Sequence, residues 1–174
     1  MSLIKSTNVR INIEASKIAL RMLGSWSPRL AGALGRRLFL QTPPRRKSSV
    51  EERAILAAGE RFDVASSSEA LAVWRFGHGP AILLVHGWGG SAAQLARFIE
   101  PLVEAGFSVI AFDGPGHGES TGRAASLVHL AEAVLDIAAR VGPIHGVITH
   151  SLGGAATALA IAGPDQAKNA AGAP

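Results

Sequence analysis

The chain has 174 residues and no cysteine. That absence excludes a disulfide framework, a thiolate zinc site and a cysteine nucleophile together, and leaves a serine hydroxyl without a thiol competitor. No apolar run is long enough to span a bilayer, and the start Met1-Ser2-Leu3-Ile4-Lys5 lacks the apolar stretch and small-residue cleavage site of a secretory signal. The expected compartment is therefore the cytoplasm. Acidic residues are scarce at one end: the first fifty residues hold ten Lys/Arg against the single Glu14, so they carry +9 and the remaining 124 residues −5. The basicity belongs to one arm, and with no nucleic-acid-binding motif in the rest, nucleic acid is not an expected partner. No cofactor or metal is expected either.

What is present fits one domain with a core, since 48% of the residues are apolar. In the basic arm, Ile11, Ile13, Ala15, Ile18, Leu20, Met22, Leu23, Leu30, Leu34, Leu38 and Leu40 are interleaved with Lys17, Arg21, Arg29, Arg36 and Arg37. This spacing predicts an amphipathic helix from about Asn12 to Leu40, broken near Ser27-Pro28. Such a helix over residues 11–40 fits an anionic membrane surface. It fits equally a helical extension packed on its own domain, which is the preferred expectation. Gln41 to Ser49 is polar and proline-containing, so the expected domains are residues 1–49, extension and linker, and 50–174.

Beyond the linker, Val50 to Ala58 reads as a short helix, and Arg61 to Ala65 with Leu71 to Phe76 as an antiparallel pair at one sheet edge. Ala81 to Val85, Phe107 to Phe112 and Ile144 to Thr149 read as buried parallel strands. Helices are expected between them, one after a Ser91 cap and divided near Pro101, the other after a Ser126 cap. Alternating strands and helices argue an α/β, doubly wound, mostly parallel sheet that binds ligands at the carboxyl ends of its strands.

Three such ends carry signals. His86-Gly87-Trp88-Gly89-Gly90 follows the first parallel strand, Asp113-Gly114-Pro115-Gly116-His117-Gly118-Glu119-Ser120 the second, and Thr149-His150-Ser151-Leu152-Gly153-Gly154 the third. The last is a strand that turns sharply onto a serine and continues as a helix, with glycines that allow close approach to the sheet. Read alone, Ser151 is also a good helix N-cap. Together the three stretches, over about residues 60–163, resemble the α/β-hydrolase superfamily, whose nucleophile elbow reads G-x-S-x-G; Thr149 stands at the first glycine.

The resemblance implies a serine-type hydrolase of an ester or related small acyl substrate, with Ser151 as nucleophile and the backbone N–H groups of Trp88 and Leu152 as oxyanion donors. It implies loop-supporting roles for His86, Gly87, Asp113 and His117; His150, next to the nucleophile in a sharp turn, is expected to send its ring elsewhere. In the family the triad acid and histidine follow the serine, whereas here only Asp165 and no histidine follow Ser151. The expectation is the N-terminal part of such a fold, truncated after the elbow helix, inactive or with residual activity, with self-association through an uncovered sheet edge. A non-catalytic fragment of the fold and a membrane-surface or partner-binding protein using the basic helix are the alternatives.

Overall fold

A computed structural model describes residues 3–67 and 69–163. The chain forms two compact units that divide between Gln41 and Thr42. In the first unit, α1 (Leu3–Trp26) and α2 (Pro28–Leu40) are separated at Ser27. Ser27 is extended and its hydroxyl accepts from the Leu30 amide at 3.4 Å, while Pro28 occupies the first helical position, where its missing N–H costs nothing. The expected break is thus a cap. The helix before it begins at Leu3, earlier than Asn12. Gly35 faces Leu20 and Gly24 faces Ala31, so the two helices run antiparallel against each other.

The second unit starts with segment 42–49 and α3 (Val50–Ala57), which opens with a capping box between Ser49 and Glu52. The strands are β1 (Glu60–Ser66), β2 (Glu69–Phe76), β3 (Ala81–Val85), β4 (Ser108–Phe112) and β5 (Ile144–Thr149), in the spatial order β1-β2-β4-β3-β5. β1 and β2 form the expected antiparallel pair at one edge, and β2 also meets β4 antiparallel. β3 lies between β4 and β5 and is parallel to both. Three chain segments therefore leave the sheet at the same end.

Helices cover both faces. Against one, α5 (Leu127–Val141) and α6 (Leu152–Ala162) bury Leu71, Leu83, Ile110, Phe112 and Ile137. Against the other, a 3-10 helix (Ala92–Phe98) and α4 (Ile99–Glu104) bury Trp74, Leu84, Val109 and Leu95. All five β4 residues are buried, as a continuously apolar central strand requires.

Two expectations are corrected here. The helix after Ser91 divides at Phe98, not at Pro101, and the Ser91 hydroxyl makes no cap bond. Pro101 sits in the first turn of α4, where proline is tolerated. β5 is an edge strand among the described residues rather than a buried one, and His145, Val147 and Thr149 alternate outward. Segment 42–49 also departs from its reading as a linker belonging with residues 1–41. Thr42 and Arg45 bond the loop after β4, through the Arg123 and Ser120 carbonyls at 3.1 and 2.7 Å. Composition marks the segment as polar, but Thr42 and Arg45 spend their polar groups on loop carbonyls. No helix among the described residues is long and apolar enough to cross a membrane.

Candidate active site

The β3–β5 ladder runs to its end at His150, whose amide donates to the Val85 carbonyl at 3.0 Å. The chain then reverses at Ser151, with φ 53° and ψ −120°, and α6 begins at the next residue. A non-glycine residue with positive φ costs on the order of 1–3 kcal/mol, and the surrounding structure must hold it. Here the holding is visible: the Gly153 and Gly154 amides close back onto the His150 and Ser151 carbonyls, both at 3.0 Å.

Gly153 explains why this turn needs glycine. A Cβ there would stand 2.5 Å from the Val85 carbonyl oxygen and 2.7 Å from that of His86, so the helix start lies directly on the end of β3. Thr149 is bulkier than the glycine of the motif, and Gly154 faces it: a Cβ on Gly154 would be 3.2 Å from Thr149 Oγ1. The substitution for the motif's first glycine is thus accommodated by a second glycine after the serine.

Ser151 differs from the helix-capping serines of this chain. Ser27, Ser49 and Ser126 are extended and accept from the amide three residues on, whereas the exposed Ser151 hydroxyl caps nothing. Its neighbour Leu152 is the first residue of α6, so its N–H has no carbonyl within the helix and sits at the positive end of the helix dipole. The loop after β3 passes beside this turn. A Cβ on Gly87 would lie 2.9 Å from the His150 carbonyl, 3.0 Å from Ser151 Cβ and 3.2 Å from His150 Nδ1. Gly87 thus lets the loop reach the elbow, and the His150 ring lies beside it. Gly90 donates to the Gly87 carbonyl at 3.0 Å, which places Trp88 and Gly89 at the corners of a turn, with Gly89 at φ 72°.

The histidines of the two glycine-rich loops, His86 and His117, are fully engaged. His86 is buried; its Nε2 accepts from the Gly114 amide at 2.8 Å and its Nδ1 faces the Gly87 carbonyl at 2.7 Å. One nitrogen accepts and the other must donate, which fixes a neutral Nδ1–H imidazole. Burial pushes its pKa down to about 4, against a smaller opposing effect of the Gly87 carbonyl. His117 repeats the pattern: Nε2 accepts from the Gly89 amide at 3.0 Å and Nδ1 faces the Pro115 carbonyl at 2.8 Å. Its pKa is also lowered by burial. The Trp88 indole packs edge-on to the His117 ring, centroids 5.3 Å apart.

Asp113 does not pair with His117. Its carboxylate accepts from the Ala92 and Glu119 amides, both at 2.7 Å, and tucks into the space where Gly118, at φ 45°, has no side chain. Burial raises its pKa, and these two amides oppose the rise. Ser120, fully buried, donates to the Asp113 carbonyl at 2.5 Å and accepts from the Ala72 amide at 2.9 Å. Sequence reasoning gave Ser120 and Arg45 no role. In the sequence Ser120 reads as any turn serine and Arg45 as part of a polar linker.

The fold and the serine elbow define a class, and comparison with known proteins agrees: the pattern of the alpha/beta hydrolase fold family matches residues 80–171. The chain belongs to that family. It is 34% identical over 94 residues to the dihydrolipoyllysine-residue acetyltransferase component of the acetoin cleaving system of Cupriavidus necator, a match covering 52% of this chain and 25% of that one. Among solved structures, a Vigna radiata epoxide hydrolase is 19% identical, with 64% of this chain and 38% of that chain covered and a TM-score of 0.56. Potato (Solanum tuberosum) epoxide hydrolase I is 24% identical, with 56% and 34% covered and a TM-score of 0.50. These likenesses show the shared fold. The chain spans about a quarter of the length of the curated relative and about a third of the solved structures.

Proposed function

We propose that Ser151 is the nucleophile of a serine-type hydrolase acting on an ester or related acyl substrate. The observation that carries this reading is the Ser151 backbone, φ 53° and ψ −120°, with an exposed hydroxyl that caps no helix. The hydroxyl oxygen attacks the acyl carbonyl, its proton passes to a base, and the carbonyl oxygen takes up negative charge against the Trp88 and Leu152 amides. The tight approach of Gly87 to Ser151 supports that pairing of donors.

Among the described residues, the histidines of the two glycine-rich loops do not offer a base at this site. His86 and His117 have both ring nitrogens bonded to backbone groups, so neither has a free lone pair for the serine proton. A neutral serine hydroxyl without a base is a weak nucleophile. Binding and oxyanion donors alone leave on the order of a thousandfold acceleration over water. The test is p-nitrophenyl ester hydrolysis by the chain and its Ser151→Ala variant, with intact-mass analysis. Turnover near background with slow acylation of Ser151 is expected. An adduct that persists in Ser151→Ala overturns the nucleophile, and fast turnover lost in that variant overturns the missing base.

A second reading rests on the first unit. No α2 residue is buried, and Trp26, Phe39 and Met22 are exposed on helices that also carry Arg21, Arg29, Arg36 and Arg37. Exposed aromatics with arginines on amphipathic helices suit an anionic lipid surface. Co-sedimentation with phosphatidylserine vesicles that is lost in Arg36→Glu/Arg37→Glu supports it; equal binding by both proteins overturns it.

A further inference from the structure

Behind the loop after β4, on the face covered by the 3-10 helix, lies a cavity of about 570 Å³ that Ser151 and Trp88 do not line. Four arginines line it: Arg45 and Arg46 from segment 42–49, Arg53 from α3 and Arg61 from β1. Two are committed to carboxylates. Arg46 makes a two-pronged contact with Glu52 at 2.7 and 2.9 Å, and Arg61 meets Asp63 and Glu119 at 3.2 and 3.1 Å.

The other two are held differently. Arg45 donates to the Ser120 carbonyl at 2.7 Å and Arg53 to the Ser48 carbonyl. Among the described residues neither has a carboxylate within ion-pair distance. A carbonyl orients a guanidinium without neutralising it, so two charges of one sign are fixed at one cavity. Two carboxylates also line it: Asp113 already accepts two backbone amides, and Glu119 pairs with Arg61.

Ser91 lines the same cavity. It is 4% exposed, and its hydroxyl has no hydrogen-bond partner. A buried hydroxyl without a partner is costly, and a ligand that bonds it removes that cost. Leu56 and Trp74 give the wall an apolar part.

We propose that this cavity binds a small organic phosphate, its phosphoryl oxygens held by the Arg45 and Arg53 guanidiniums and the Ser91 hydroxyl, its organic part against Leu56 and Trp74. Phosphate suits the donors better than a carboxylate does. Its oxygens point in more directions and accept planar forks from two separate elements, and its negative charge suits guanidiniums that no carboxylate pairs directly.

The experiment is calorimetric titration of the full chain with inorganic phosphate and with phenyl phosphate, in chloride buffer of matched ionic strength, with thermal melts alongside. Saturable binding of both is expected, tighter for phenyl phosphate, with a Tm rise of about 5 °C near saturation. Arg53→Gln weakens binding roughly tenfold or more, as loss of a charged hydrogen bond does, and Ser91→Ala a few-fold. Arg97→Gln, which removes an equal charge at an exposed pair with Glu51, leaves it unchanged. If Arg53→Gln melts early, Arg53→Lys keeps the charge without the fork and shows the same weakening. Absence of saturation, no gain for phenyl phosphate, or equal weakening by Arg97→Gln overturns the proposal. Since Ser151 lies outside the cavity, the Ser151→Ala variant binds phosphate normally, so this result stands apart from that of the hydrolase test.

Discussion

The Gly89 amide donates to His117 Nε2 at 3.0 Å, and this bond ties the loop after β3 to the loop after β4. Removing the acceptor leaves an amide without its partner in a loop that Gly87 presses against Ser151. His117→Ala is therefore expected to lower stability by about 1–3 kcal/mol. In denaturant melts the midpoint falls; an unchanged midpoint shows that water replaces the imidazole at no cost.

The buried histidines predict an acid-labile fold. His86 in the folded chain titrates near 4 and His117 is lowered as well, so from about pH 6.5 downward the unfolded chain takes protons that the folded one refuses. Bound protons then favour unfolding, and stability falls as pH drops from 6.5 toward 4, His86 alone accounting for about 3 kcal/mol. Asp113 works the other way: burial raises its pKa, so as pH falls the folded form takes up a proton before the unfolded form does. Thermal melts between pH 4 and 8 check the sign. A Tm that stays flat from pH 6.5 to 4.5 means the imidazoles are charged in the fold.

Much of this arrangement was legible before any coordinates. The apolar runs at Ala81 and Ser108 became buried parallel strands because both-face burial leaves a continuous apolar signature, whereas β5 at Ile144 lies at the edge, and the stretch after Thr149 became an elbow because two glycines follow a serine there. Two things were hidden. Segment 42–49 looked like a linker, since a hydrogen bond from Arg45 to a carbonyl 75 residues away leaves no local pattern. The tautomers of His86 and His117 depend on amides from other loops, which spacing along the chain does not encode.

The glycines after Ser151 are not equivalent. Gly153→Ala drives a methyl against two backbone carbonyls, at 2.5 and 2.7 Å, which neither a rotamer change nor a side-chain shift relieves. A loss of about 3 kcal/mol or failure to fold is expected. Gly154→Ala meets only Thr149 Oγ1 at 3.2 Å, and the helix propensity gained, about 1 kcal/mol, offsets that contact. Equal melting curves for the two variants would sink the account of how α6 lies on β3.

β5 pairs with β3 on one side, and among the described residues no strand pairs with its other side. Its row of backbone donors and acceptors is open to a further strand, and Val147 on it is 37% exposed. An uncovered edge with apolar side chains is a template for pairing with another chain. The full chain is therefore expected to associate with itself in a concentration-dependent way. A charge on an edge strand opposes such pairing, so Val147→Lys shifts the equilibrium toward monomer. Sedimentation velocity over a hundredfold concentration range reads both effects. A monomer throughout for the unaltered chain means that the β5 edge does not drive association.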